Sequence, residues 1–166
     1  MSAIGKIFID NKKNPFSQGN LYREDDAIII FYDYNKLNSY LDVLNTANEH
    51  GLTQIILTPN KFVKLINKLE PLNLKAKKIE FDPPLQEEDQ EFANKVLREN
   101  KNNGESLQES VDFYNKEYNS IPKNLTFFSQ NGNSYSLYNN GVISIEEKEE
   151  IHELNPFLRL LIGKQA

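Results

Sequence analysis

Cysteine is absent from this chain of 166 residues. That excludes disulfides, zinc ribbons, cysteine-ligated iron–sulfur clusters and cysteine nucleophiles together. Histidine is nearly absent. His50 and His152 are the only two, too few for a multi-histidine metal site. Glycine and proline number 7 each, which excludes a collagen-like or low-complexity chain. No glycine-rich phosphate loop occurs, neither G-x-G-x-x-G nor G-x-x-x-x-G-K-[ST]. The turns after the candidate strands carry Pro59 or Asp82 instead of glycine, so no backbone cradle for a pyrophosphate is expected. The longest strongly apolar run, residues 27–32, is far below the ~20 residues a membrane helix needs. Residues 1–8 hold no long apolar stretch of the secretory kind. Basic excess is lacking too. Nineteen Lys and Arg stand against 24 Asp and Glu, a net charge of −5, which argues against broad, sequence-independent nucleic-acid binding.

What is present is a globular composition, 39% hydrophobic and 26% charged. The length suits one domain, read as a half at 1–84 and a second at 85–166. Asparagines cluster where the chain must turn, as at Asn131, Asn133, Asn139 and Asn140. Their side chains close turns and tolerate positive φ.

In the first half, Ile7 and Ile9 alternate as in a half-buried strand. Residues 11–20, with Pro15 and Gly19, read as a loop. AIIIFY at 27–32 reads as a strand buried on both faces. Leu37, Leu41 and Leu44 mark a helix face, stopped by Gly51. QIIL at 54–57 reads as a second buried strand. Phe62, Leu65, Ile66 and Leu69 mark a second helix, and KIEF at 78–81 a third strand. This strand–helix–strand–helix–strand order predicts an α/β fold with a short, mainly parallel sheet and flanking helices.

The second half adds two helices, an antiparallel meander and a closing helix. The first helix carries the stripe Phe92, Val96 and Leu97, the second Leu107, Val111, Tyr114 and Tyr118. From 124 onward the period becomes two, and Asn131-Gly132 and Asn140-Gly141 are strong hairpin turns. The closing helix at 146–163 is interrupted or divided by Pro156.

Candidate sites follow from this frame. In an open parallel sheet, ligands bind outside the carboxyl ends of the strands. Asp33 and Asp82 end two of them and could hold Mg²⁺, which prefers oxygen ligands, for phosphoester chemistry. Asp33-Tyr34-Asn35 resembles the acidic site of phosphatases with a strand-borne nucleophilic aspartate, but lacks the second acid two positions on. The same residues are ordinary helix caps and turn formers. Asp25-Asp26 guard the AIIIFY strand against aggregation. Lys61, Lys64 and Lys68 share a helix face and form a candidate nucleic-acid contact, or a solvated face. Tyr135, Tyr138, Phe157, Leu158 and Leu161 form a candidate partner surface, unless the terminal helix packs over a sheet edge. His50 suits a helix carboxyl end. The run Glu146-Glu147-Lys148-Glu149-Glu150 resembles the glutamate-rich C-terminal signals of bacterial type IV effectors, which implies export as the alternative to a cytoplasmic protein.

The absence of the usual catalytic constellations favours a non-enzymatic protein–protein interaction or accessory protein of bacterial or mobile-element type. It would need no cofactor and would pair with another protein or with itself. A Mg²⁺-dependent phosphoester enzyme and a nucleic-acid-associated accessory protein are the alternatives.

Overall fold

The computed structural model describes residues 1–11, 20–36, 38–99 and 105–163. Leu37 and the predicted loop around Pro15 and Gly19 lie outside them. The chain forms two compact units. One joins Met1–Ile56 with Asn140–Ala166, and the other is Leu57–Asn139. Strands and helices are mixed, and among the described residues every strand pairing within each unit is antiparallel.

The expected short, mainly parallel sheet is therefore overturned. In the first unit β1 (Ala3–Ile9) is central. One edge of β1 pairs with β3 (Ala27–Tyr32), from Ile4 opposite Tyr32 to Ile9 opposite Ala27. Its other edge pairs with β8 (Val142–Ile145) and then, at Phe8 and Ile9, with the two-residue β4 (Thr53–Gln54). β2 (Leu21–Glu24) closes a tight hairpin onto β3, with Glu24 opposite Ala27 and Asp25 at φ 56°. Asp25-Asp26 thus form the turn of this hairpin. The AIIIFY strand is buried on both faces, and that two-sided burial is what suggested a parallel sheet. A central antiparallel strand covered on both sides has the same composition.

One face of this unit packs Phe8, Ile28 and Ile30 against Val43, Ala47 and Leu52. Val43 and Ala47 belong to α1 (Ser39–Glu49). The helix is phased differently from the expected leucine stripe, since Leu41 is exposed. The opposite face carries Ile7, Ile29 and Phe31, also buried, with the Lys148 ammonium 4.3 Å from the centre of the Phe31 ring. The expected closing helix is divided. A 3-10 helix spans Lys148–Leu154 and α5 spans Asn155–Leu161. Pro156 lies in the first turn of α5, where its missing N–H costs nothing. α5 is tied to the edge strand β2 by Tyr22 Oη donating to Asn155 Oδ1 at 2.5 Å and Arg159 pairing with Glu24 at 2.7 Å.

The second unit orders its strands β7 (Ser134–Tyr138), β6 (Ile121–Phe128) and β5 (Lys75–Asp82). Three helices accompany them: α2 (Pro59–Ile66), α3 (Glu87–Arg98) and α4 (Glu105–Tyr118). Thr58 caps α2 by accepting from the Lys61 N–H. β6 and β7 turn through Asn131-Gly132, where Gly132 takes φ 85°. Gly141, in the first unit, takes φ 84°, and a Cβ there would stand 2.9 Å from the Ile55 carbonyl oxygen. Only glycine fits that approach without a shift.

Candidate functional site

The candidate site lies on α3 and α4, and β5 sets its orientation. β5 pairs with β6 on one side only among the described residues. On its other side two α3 side chains replace a strand. The Ile79 N–H donates to Asn94 Oδ1 at 3.0 Å, and Gln90 Nε2 donates to the Ile79 carbonyl at 2.6 Å. Gln90 and Asn94 are one turn apart, so they face β5 together. Phe92, two residues from each, points away and is 54% exposed. Asp89 and Phe92, three apart, share the turned-out side.

α4 is set in turn by Leu107, Val111 and Tyr114, all buried. Tyr114 meets Phe81 edge-on at 5.4 Å between ring centres. Its hydroxyl donates to the Asp89 carbonyl at 3.3 Å, which ties the two helices. Burial, and then the nearby Asp89 and Tyr118, raise the Tyr114 phenol above its usual pKa. Phe113, one residue earlier on the helix, is 50% exposed, as is Tyr118 at the helix end. The three rings form one cluster. Phe113 meets Tyr118 edge-on at 6.0 Å, and Tyr118 stacks on Tyr114 at 6.2 Å.

Two adjoining clefts result. One, of about 430 Å³, is lined by Asp89, Phe92, Glu109, Ser110, Phe113 and Tyr114. The other, of about 250 Å³, runs from Asp89 past Tyr118 and Ser120 to Pro83, Pro84 and Leu85. Ser120 Oγ donates to the Pro83 carbonyl and so fixes that end. Asp89 lines both clefts. Among the described residues, the charged side chains that line them are Asp89 and Glu109, and no lysine or arginine does. Neither carboxylate makes an ion pair among the described residues.

The residues singled out from the sequence lie elsewhere. Tyr135, Phe157 and Leu158 are fully buried in their own units, so they present no surface to a partner. Tyr138 and Leu161 are part-buried. The apolar stripe of the terminal helix serves the core, because α5 is short and lies along β2. Asp33 and Asp82 fall in different units. Asp33 Oδ1 accepts from the Asn35 N–H at 3.0 Å, closing a turn before α1, and Asp82 is exposed at the end of β5. Among the described residues no group of three or more His, Asp or Glu side chains could hold a metal ion. No helix among them is long and apolar enough to cross a membrane. Lys61, Lys64 and Lys68 are all exposed along α2 and just beyond it. His50 ends α1 with Nδ1 2.9 Å from the Thr46 carbonyl oxygen.

Sequence reasoning placed Phe92 and Tyr118 on core-facing stripes and did not single out Phe113. The amide pair at Gln90 and Asn94 is a signal for Phe92 alone, and no such signal marks Phe113 or Tyr118 on α4. Two amides one turn apart mark the side of α3 that reaches a strand edge, and they place Phe92 opposite.

One buried charge has a structural role. Lys6, on β1, is fully buried. Its ammonium donates to the Asn140 carbonyl and lies 5.9 and 5.7 Å from the Phe8 and Tyr40 ring centres. Burial holds its pKa below the usual 10.5. The unfolded chain therefore binds more protons as the pH nears 10.5, and raising the pH favours the folded state. Urea titrations of the parent and of Lys6→Met should show the stability difference moving in the parent's favour as the pH rises from neutrality towards 10.5. A constant difference across that window would contradict the assignment.

The chain matches no protein-family model, no curated protein and no solved structure.

Proposed function

We propose that the chain is a non-enzymatic protein–protein interaction protein that docks its partner on the α3–α4 groove. The observation that carries this reading is the exposure of Phe92, Phe113 and Tyr118, each half or more open to solvent. An aromatic side chain buries 150–250 Å² when enclosed, so covering the exposed half of each ring gains roughly 2–3 kcal/mol per ring. In the free chain that gain is forgone. Clustered tyrosine and phenylalanine rings around a shallow cleft are the usual make-up of an interface centre.

The test is site-specific photo-crosslinking. A benzoyl-phenylalanine placed in turn at positions 92, 113 and 118, in cells of the source organism, should give discrete protein adducts. The same probe at Asn45, exposed on α1, should not. Adducts that are equally strong from position 45, or absent from all three ring positions, would overturn the reading.

A further inference from the structure

We propose that the partner docks through a basic segment, an arginine- or lysine-bearing stretch whose cationic side chain crosses the rings of Phe113 and Tyr118 and meets Asp89 and Glu109. This rests on the reading above and names the chemistry of the occupant.

Charge complementarity favours such a segment. Beside the neutral Gln86, Ser110 and Ser120 and the Pro83–Leu85 end, the groove offers a ligand aromatic rings and carboxylates. A ring face carries partial negative charge and attracts a cation lying over it. A carboxylate attracts the same cation and accepts its hydrogen bonds. Both parts of the groove therefore select one charge sign. Arginine fits best, because its planar guanidinium stacks on a ring and still presents a fork of donors to a carboxylate beside it. Its aliphatic stem also covers apolar surface, here Phe92 and the Pro84–Leu85 end of the groove.

Other occupants fare worse. An acidic peptide or a nucleic-acid phosphate meets two like charges and, among the described residues, no lining cation. A purely apolar segment would strip water from Asp89 and Glu109 and leave both without a partner, which is costly. The two helices do carry Lys95, Arg98 and Lys116, but none of these lines either cleft.

The opposite end of the second unit supports the assignment by contrast. A cleft of about 660 Å³ there is lined by Lys75, Arg98 and Phe128, with Glu70 as the single acid among the described residues. Lys77 lies 5.3 Å from the centre of the Phe128 ring. There the chain already supplies a cation to its own ring. At the α3–α4 groove none of the described residues supplies one, and in the proposed complex that cation comes from the partner.

The experiment selects ligands from a random 12-residue phage library against the intact chain. The strongest binders are then synthesised with a fluorescein label and titrated by anisotropy. The expected result is enrichment in arginine and lysine. Asp89→Asn combined with Glu109→Gln should weaken binding about tenfold or more, and Phe113→Ala by a similar factor. Glu149→Gln, exposed in the first unit, serves as the charge control and should change little. Circular dichroism confirms that each variant is folded. The two amide variants are near-isosteric, so they remain informative even if Phe113→Ala proves unstable.

Enriched apolar or acidic peptides that still lose affinity in Phe113→Ala would overturn the basic segment and leave the interaction reading standing. Binders insensitive to every groove variant would overturn both. No enrichment, with a doubled mass by light scattering that Phe113→Ala abolishes, would make a second copy of the chain the occupant and overturn the proposal.

Discussion

Arg23→Ala should destabilise the chain by about 3 kcal/mol, the lower part of the range for breaking a buried ion pair. Asp10, at the end of β1, is fully buried. Its Oδ2 lies 3.0 Å from Arg23 Nη2, and its Oδ1 is buried without a hydrogen-bond partner among the described residues. Among the described residues the Asp10 carboxylate is thus under-satisfied and relies on the guanidinium across the β2–β3 hairpin. Without that cation, a carboxylate remains in a site closed to water. The Arg23 side chain is about one-third exposed (33%), and the solvent on its side keeps the expected cost below the maximum. Urea denaturation of Arg23→Ala and of Asp10→Leu combined with Arg23→Met checks the cause. The double variant removes both charges and should recover most of the loss. Equal losses in both would show that packing, and not the stranded charge, is responsible.

The same hairpin shows where the sequence is legible and where it is not. AIIIFY reads as a buried strand from composition alone, and it is one. Its pairing partners cannot be read that way. Two-sided burial follows from cover on both faces, and neither parallel nor antiparallel pairing leaves a further mark on the side chains. The deciding element is the four-residue β2, whose LYRE carries too little apolar character to register as a strand. Its turn, Asp25-Asp26, looks like a charged flank instead. Where turn chemistry is specific, at Asn131-Gly132, the hairpin is legible because positive φ has few other residues to serve it.

The groove was hidden for a related reason. A period of 3.6 identifies a stripe but fixes the buried face only to within a residue or so. On α3 the small Ala93 is buried and the large Phe92 is not, the reverse of what hydrophobicity suggests. Gln90 and Asn94 decide this, because satisfying the open edge of β5 takes precedence over burying a ring. Leaving the Ile79 N–H and carbonyl unpaired would cost more than half-exposing one phenylalanine. Phe92 is thereby left half-exposed, where the proposed partner would cover it.

Phe157→Ala should cost about 3–5 kcal/mol, the usual range for removing an enclosed phenylalanine, and removing residues 156–166 should abolish folding of the first unit. Phe157 and its neighbour Leu158 are both fully buried, and truncation also removes Arg159, the partner of Glu24. A domain's whole margin is about 5–15 kcal/mol, so two enclosed side chains and an ion pair are a large share of it. Light scattering and circular dichroism on the intact and truncated chains separate the outcomes. Loss of the folded signal makes the terminal helix core. A truncated chain that stays folded, with its mass falling from dimer to monomer, would make α5 an assembly surface and overturn its placement in the core. The proposed groove should behave in the opposite way. Phe113 and Tyr118 are half-open to solvent, so their alanine variants should keep the fold and lose the ligand. A residue that matters for binding and hardly at all for stability marks a surface built for another molecule, and that result would distinguish the proposed α3–α4 groove from the apolar stripe at the end of the chain.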